Sequence, residues 1–187
     1  MGSNDFNSLI SDIFNEWNLT PIHNDVVDFM SDKGIVIDIY PFKITDLEKN
    51  HQVEVFYRKF LDRDIPKKTY LTCENKFLTF IKFLWIYNST NVFYDLVFDN
   101  YFLKAIKKSF FFKQKHKSKI IHSISNWEEL QTLSILALRE AGYMFIHFKD
   151  WNAIAMINDF AMLILCRDAE TNEKICNLAN HCGLFVH

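Results

Sequence analysis

Gly34, Gly142 and Gly183 each separate a stretch with helical spacing from a short apolar stretch, and Gly2 is the only other glycine in the chain. No other feature constrains the fold as tightly, because it predicts three left-handed C-caps, each ending a helix and launching a strand. The three prolines, Pro21, Pro41 and Pro66, are equally scattered, which leaves neither a Gly-rich phosphate loop nor a Pro-rich linker. With 187 residues, 49% of them hydrophobic, the chain can bury one sizeable core. The expected organisation is a single domain over 1–187, helix-rich over 1–122 and mixed α/β over 123–187.

Phe6, Leu9, Ile10, Ile13, Phe14 and Trp17 recur at helical spacing and predict a first helix over 4–18, closed by Pro21. A second short helix is expected over 24–33, followed after Gly34 by a strand over 35–40. Thr45 with Glu48 forms a capping-box signature and opens a third predicted helix over 46–62. The stretches 72–87 and 92–109 predict a helical hairpin across the polar break Asn88-Ser89-Thr90-Asn91. Beyond it, Ser125 and the apolar spacing from Leu130 to Ala141 predict a capped helix that stops at Gly142. Strands over 143–148, 153–157 and 160–166 then form a meander, and a final helix over 169–182 gives way to a strand over 184–186. The expected fold class is therefore α+β: a predominantly helical N-terminal two-thirds and a C-terminal antiparallel β-meander packed by helices. The first meander strand has no charged gatekeeper, so its edge, at Met144 and Phe145, is expected to be open to strand addition.

Charge is distributed unevenly. The balance is −6 before Pro66, +8 from there to His122 and −4 afterwards, although the net charge is −2. The densest basic run carries Lys104, Lys107, Lys108, Lys113, Lys115, Lys117 and Lys119 with no acid among them. Such a run beside aromatic rings can bind phosphate backbones, can dock an acidic protein, or is solvated surface. Arginine is absent from it, which argues against base-specific reading. Asp25, Asp28 and Asp32 share one face of the predicted second helix and form an acidic stripe.

No stretch is long and apolar enough to span a bilayer, and the N-terminus lacks the layout of a secretory signal, so no membrane association and a cytoplasmic location are expected. Cys73, Cys166, Cys176 and Cys182 show no paired CxxC spacing, and free thiols are expected. Cys176, His181 and Cys182 lie close in sequence with Cys166 nearby, and His147 and His187, expected on strands, could approach His181, but the C-x4-H-C spacing departs from the structural zinc pattern. No metal and no cofactor is expected. Cys73 with Glu74, or Cys166 with Asp168, would be the simplest thiol constellation, yet nothing in the spacing selects a catalytic set.

What exceeds the ordinary is aromatic content, 16% of all residues, with ten aromatics among the 26 positions from Phe77 to Phe102. That is too many for one narrow stripe, so these rings are either core or displayed to a partner. Trp85, Tyr87, Tyr94, Tyr101 and Trp151 are the candidate partner anchors, because Tyr and Trp dominate interface hot spots.

The chain is small, α+β, rich in Phe, Asn and Lys and without a catalytic motif, and its C-terminal part carries the arrangement Trp127-Glu128-Glu129-Leu130, Ala141-Gly142, Asp150-Trp151-Asn152 and Asn158-Asp159. In this overall character it resembles the immunity proteins of bacterial contact-dependent or polymorphic toxin systems, and the resemblance is one of the whole chain. It implies a non-catalytic inhibitor that binds one cognate toxin domain, commonly a nuclease, and blocks its active surface. The alternatives are a nucleic-acid-binding protein using the lysine run and a thiol-dependent enzyme.

Overall fold

The computed structural model describes residues 13, 30, 33–41, 66–96, 121–139, 142–158 and 160–187. The helices expected over 4–18, 24–33 and 46–62 lie largely or wholly outside them. So do Asp25, Asp28, Asp32, Tyr101 and the lysine run from Lys104 to Lys119.

In chain order the elements are β1 (Ile35–Asp38), α1 (Lys67–Ile86), β2 (Thr90–Leu96), β3 (His122–Ile124), α2 (Trp127–Leu138), β4 (Gly142–Phe148), β5 (Ala153–Asn158), β6 (Ala161–Cys166), α3 (Ala169–His181) and β7 (Phe185–Val186). The strands form one seven-stranded sheet in the order β3-β2-β4-β5-β6-β1-β7, antiparallel at every pairing. This corrects the expected fold class. Among the described residues three helices accompany seven strands, helices do not predominate, and the meander β4-β5-β6 is the middle of a larger sheet.

The clearest correction falls on the helical hairpin. Where its second helix was expected, Thr90 to Leu96 pairs with Gly142 to Phe148 along its whole length. Val92 and Tyr94 point to one face and Phe93 to the other, and all three are buried. A strand buried on both faces reads as a continuous apolar run, so its period of two is hidden and the neighbouring aromatics imitate a helix.

Each strand obeys that period in the structure. One face aligns Val92, Ile146, Ala155 and Ile164 across β2, β4, β5 and β6, with Tyr94, Met144, Ile157 and Met162 in the next row. This face packs against Phe77, Phe80, Ile81 and Leu84 of α1 and Leu130, Leu133 and Ala137 of α2. Ala153 and Ala155 on β5 leave room for α2 to approach. The opposite face carries Phe93, Phe145, Met156 and Leu163 in one row, and Ile13 and Met30 bury it from that side.

β4 lies between β2 and β5, so the open edge expected at Met144 and Phe145 does not exist. The outer strands are β3, with three residues, and β7, with two, and edges this short offer little template for strand addition.

The three glycines also differ from one another. Gly183 has φ +73 just beyond α3, the left-handed conformation expected of it. At Gly34 the requirement is space, since a Cβ there would lie 2.8 Å from the carbonyl oxygen of Ile164 on β6 and 2.5 Å from that of Met30. α2 ends at Leu138, ahead of Gly142, which belongs to β4. The α2 cap is Asn126 rather than Ser125, its side chain accepting from the Glu128 N–H at 2.9 Å. Among the described residues no helix is long and apolar enough to cross a membrane.

Candidate binding surface

The last turn of α1 is where the structure departs from ordinary surface chemistry. Tyr70, Glu74, Phe77, Ile81 and Leu84 form the buried stripe of this helix. Phe83, Ile86 and Tyr87 fall on the opposite side at i, i+3 and i+4, and they are 41%, 54% and 60% exposed. Elsewhere among the described residues, Phe185 is the only other large hydrophobic side chain exposed to this extent, at 37%.

Tyr87 does not hang free. Its ring stacks on Trp151, which comes from the β4–β5 turn, with centroids 5.8 Å apart and planes 11° from parallel. Trp85 meets Trp127 at the start of α2, 5.9 Å between centroids, and the Lys82 ammonium sits 5.6 Å from the centre of the same Trp127 ring. Three separate elements thus converge on one aromatic end.

Backbone chemistry fixes that convergence. A helix terminus leaves carbonyls without intrahelical partners, and Asn88, just past the last turn, donates from Nδ2 to the Leu84 carbonyl at 2.7 Å. Its Oδ1 accepts from the Trp151 N–H at 2.8 Å. The next residue, Ser89, donates its N–H to Asp150 Oδ2 at 2.5 Å and accepts at its carbonyl from the Lys149 N–H at 3.1 Å. These bonds rivet the α1–β2 connection to the β4–β5 turn, and Asn152 closes that turn at φ 45, a conformation Asn tolerates. The Ser89 N–H holds the Asp150 carboxyl below the usual carboxylate range. Asn88, buried with both side-chain groups engaged, is thereby a structural bracket between the two loops.

Of the anchors expected from sequence, Tyr87 and Trp151 meet here, while Trp85 packs against Trp127 and the core. Tyr94 does not join them: it is 2% exposed, faces α2 and stacks on His122 at 5.6 Å. Burial, with a further contribution from the Glu129 carboxylate, pushes its phenol up to about 12. Tyr101, the acidic stripe and the lysine run lie outside the described residues. Phe83, Ile86, Lys82 and Trp127 were missed as site residues. The signal for the first two was their position opposite the apolar stripe of α1, visible once the helix limits are known.

The thiols have surroundings of the opposite kind to a nucleophile's. Burial raises all four, Cys166 to about 12, so each is protonated at neutral pH. Cys176 Sγ donates to Asn172 Oδ1 at 3.3 Å, and His181 Nδ1 lies 2.7 Å from the Asn177 carbonyl, both within one turn of α3. His187 Nε2 is 3.1 Å from the Tyr40 carbonyl. Among the described residues no three His, Cys, Asp or Glu side chains converge to hold a metal ion. Comparison with protein-family models, curated proteins and solved structures returns no match.

Proposed function

We propose that the chain is a non-catalytic protein-binding inhibitor, acting in the cytoplasm as an immunity protein, and that it seats a cognate toxin domain on the aromatic end of α1. The observation that carries this reading is the exposed Phe83, Ile86 and Tyr87 set, braced by the Tyr87–Trp151 stack. Fully burying such side chains is worth about 1.5–3 kcal/mol each, and with these three 41–60% exposed, roughly half of that gain is left unused in the free chain. Aromatics held in place before binding also lose little conformational entropy on docking, which is what distinguishes an anchor from a merely greasy surface.

The test is capture of a tagged chain from the organism that encodes it, at low and then moderate salt, with the Phe83→Ser/Tyr87→Ala variant alongside. The expected result is one stoichiometric protein, toxic when expressed alone and harmless when co-expressed with the wild-type chain, that the variant fails to retain. Recovery of salt-labile nucleic acid instead, or of a protein whose toxicity the chain does not relieve, would overturn the inhibitor reading.

A further inference from the structure

The solvent face of α1 continues well beyond its aromatic end. Lys68, Thr72, Asn75, Thr79, Lys82, Phe83 and Ile86 follow one another at steps of one, three or four residues, and all are exposed. From Lys68 to Ile86 this face runs about 27 Å along the helix at 1.5 Å per residue. Its charge has one sign. α1 contains a single acid, Glu74, which is buried and bound in a two-pronged bond to Arg139 at 2.7 and 2.8 Å. Every exposed charged side chain on the helix is therefore a lysine: Lys67, Lys68 and Lys82. Asp150, at the margin of the strip, has its carboxylate directed to the Ser89 N–H.

We infer that this face docks an acidic amphipathic protein segment, whose apolar side chains meet Phe83, Ile86 and Tyr87 while its carboxylates meet the lysines. The inference rests on the protein-binding reading above and specifies the chemistry of the partner. An acidic protein fits better than a nucleic acid for two reasons on this surface. Ile86, 54% exposed, offers no ring for base stacking, and Tyr87 and Trp151 already turn one face each toward the other. The helix also carries no arginine, the residue suited to planar phosphate and base contacts.

The experiment uses the full chain and three probes: a fluorescent amphipathic peptide of about 18 residues, long enough to cover the strip, with leucines on one side and glutamates elsewhere; the same peptide with lysines replacing the glutamates; and an oligothymidylate. Fluorescence anisotropy at low and moderate salt reads binding. The acidic peptide should bind saturably and at least tenfold more tightly than the basic one. Lys68→Glu/Lys82→Glu should weaken it tenfold or more, and Phe83→Ser/Ile86→Ser should abolish it, with thermal melting to check that each variant remains folded. Lys68→Glu alone, which leaves the Trp127 contact of Lys82 intact, should retain part of the loss, and Lys174→Glu on α3 should change nothing. Equal binding of both peptides, preference for the oligonucleotide, or acidic-peptide binding that ignores the α1 variants would each overturn the inference. The two readings fail separately. A captured toxin held equally well by Lys68→Glu/Lys82→Glu would leave the inhibitor standing and remove the acidic strip, whereas charge-selective peptide binding with no toxin recovered would do the reverse.

Discussion

The two ends of α1 use the same residue types for opposite ends. Toward its start, Tyr70 and Phe77 are fully buried and clasp Phe160 edge-on, with ring centroids 5.1 and 5.9 Å away. Within that stretch, Glu74 reaches across to Arg139 just beyond α2. Toward its finish, Phe83, Ile86 and Tyr87 face solvent, and what holds them is a hydrogen-bonded loop junction rather than core. The first end contributes to folding. The second end keeps apolar surface outside the core, at a place made rigid by backbone bonds, where its burial can contribute only to association.

That contrast predicts a separation between stability and binding, and the largest effect belongs to the buried end. Phe160→Ala, which empties the space between Tyr70 and Phe77, should cost about 3–5 kcal/mol of stability in urea denaturation. Tyr87→Ala and Phe83→Ser should each change stability by less than about 1 kcal/mol, as surface substitutions do, while removing partner binding. The comparison breaks if Tyr87→Ala destabilises as strongly as Phe160→Ala, since Tyr87 would then be a core residue in energetic terms.

How legible this was in the sequence depends on which signal each residue carried. α2, α3, β4, β5 and β6 were readable because polar turns bound them and their caps are local: Asn126 and Asp168 each accept from an N–H two or three residues on. β2 was not readable, because Val92, Phe93 and Tyr94 are apolar on both faces and carry no period. β4 looked like an edge for a related reason: its neighbour β2 is separated from it by 45 residues of sequence, and nothing local announces a long-range pairing. For the site, Tyr87 and Trp151 could be named as residue types, but their meeting depends on Asn88 bridging two loops. Asn88 reads in sequence only as part of a polar break. Tyr94 belonged to the same aromatic run and went inward, since inward or outward is decided by the sheet register with Met144 and not by composition.

Asn88 is also where the comparison can be sharpened. Asn88→Ala removes the partners of the Leu84 carbonyl and the Trp151 N–H at once, and it should cost about 1–3 kcal/mol, the range for leaving buried polar groups unsatisfied. Its distinctive consequence is local. Trp151 should become more accessible to acrylamide quenching and partner binding should weaken, while the Tyr70–Phe77–Phe160 packing is untouched. A loss of stability with unchanged quenching and binding would mean that the junction supports the fold alone and that the stack on Tyr87 holds itself in place.

The smallest expected effect is a pH dependence confined to the same junction. The Ser89 N–H stabilises the charged form of Asp150 in the folded chain, so its folded pKa lies below the unfolded value of about 3.9. A depressed carboxylate contributes stability that is present above that unfolded value and is lost as pH falls through the folded pKa. Asp38 works with the opposite sign: burial, the dominant cause, raises its pKa, so that its protonation favours the folded state as pH falls toward about 3.9. The wild-type acid profile therefore contains opposed contributions from the two carboxyls, and Asp150→Asn isolates one of them. Its melting temperature should lie below wild type at pH 7 and converge on it as pH falls through the folded pKa of Asp150, which lies below about 3.9. Trp151 quenching should rise in the variant at neutral pH and match wild type in acid. Parallel melting curves across the whole range would show that the Asp150–Ser89 side-chain bond does not tighten the aromatic end, leaving the Asn88 bonds and the Lys149 N–H to Ser89 carbonyl bond to join the two loops.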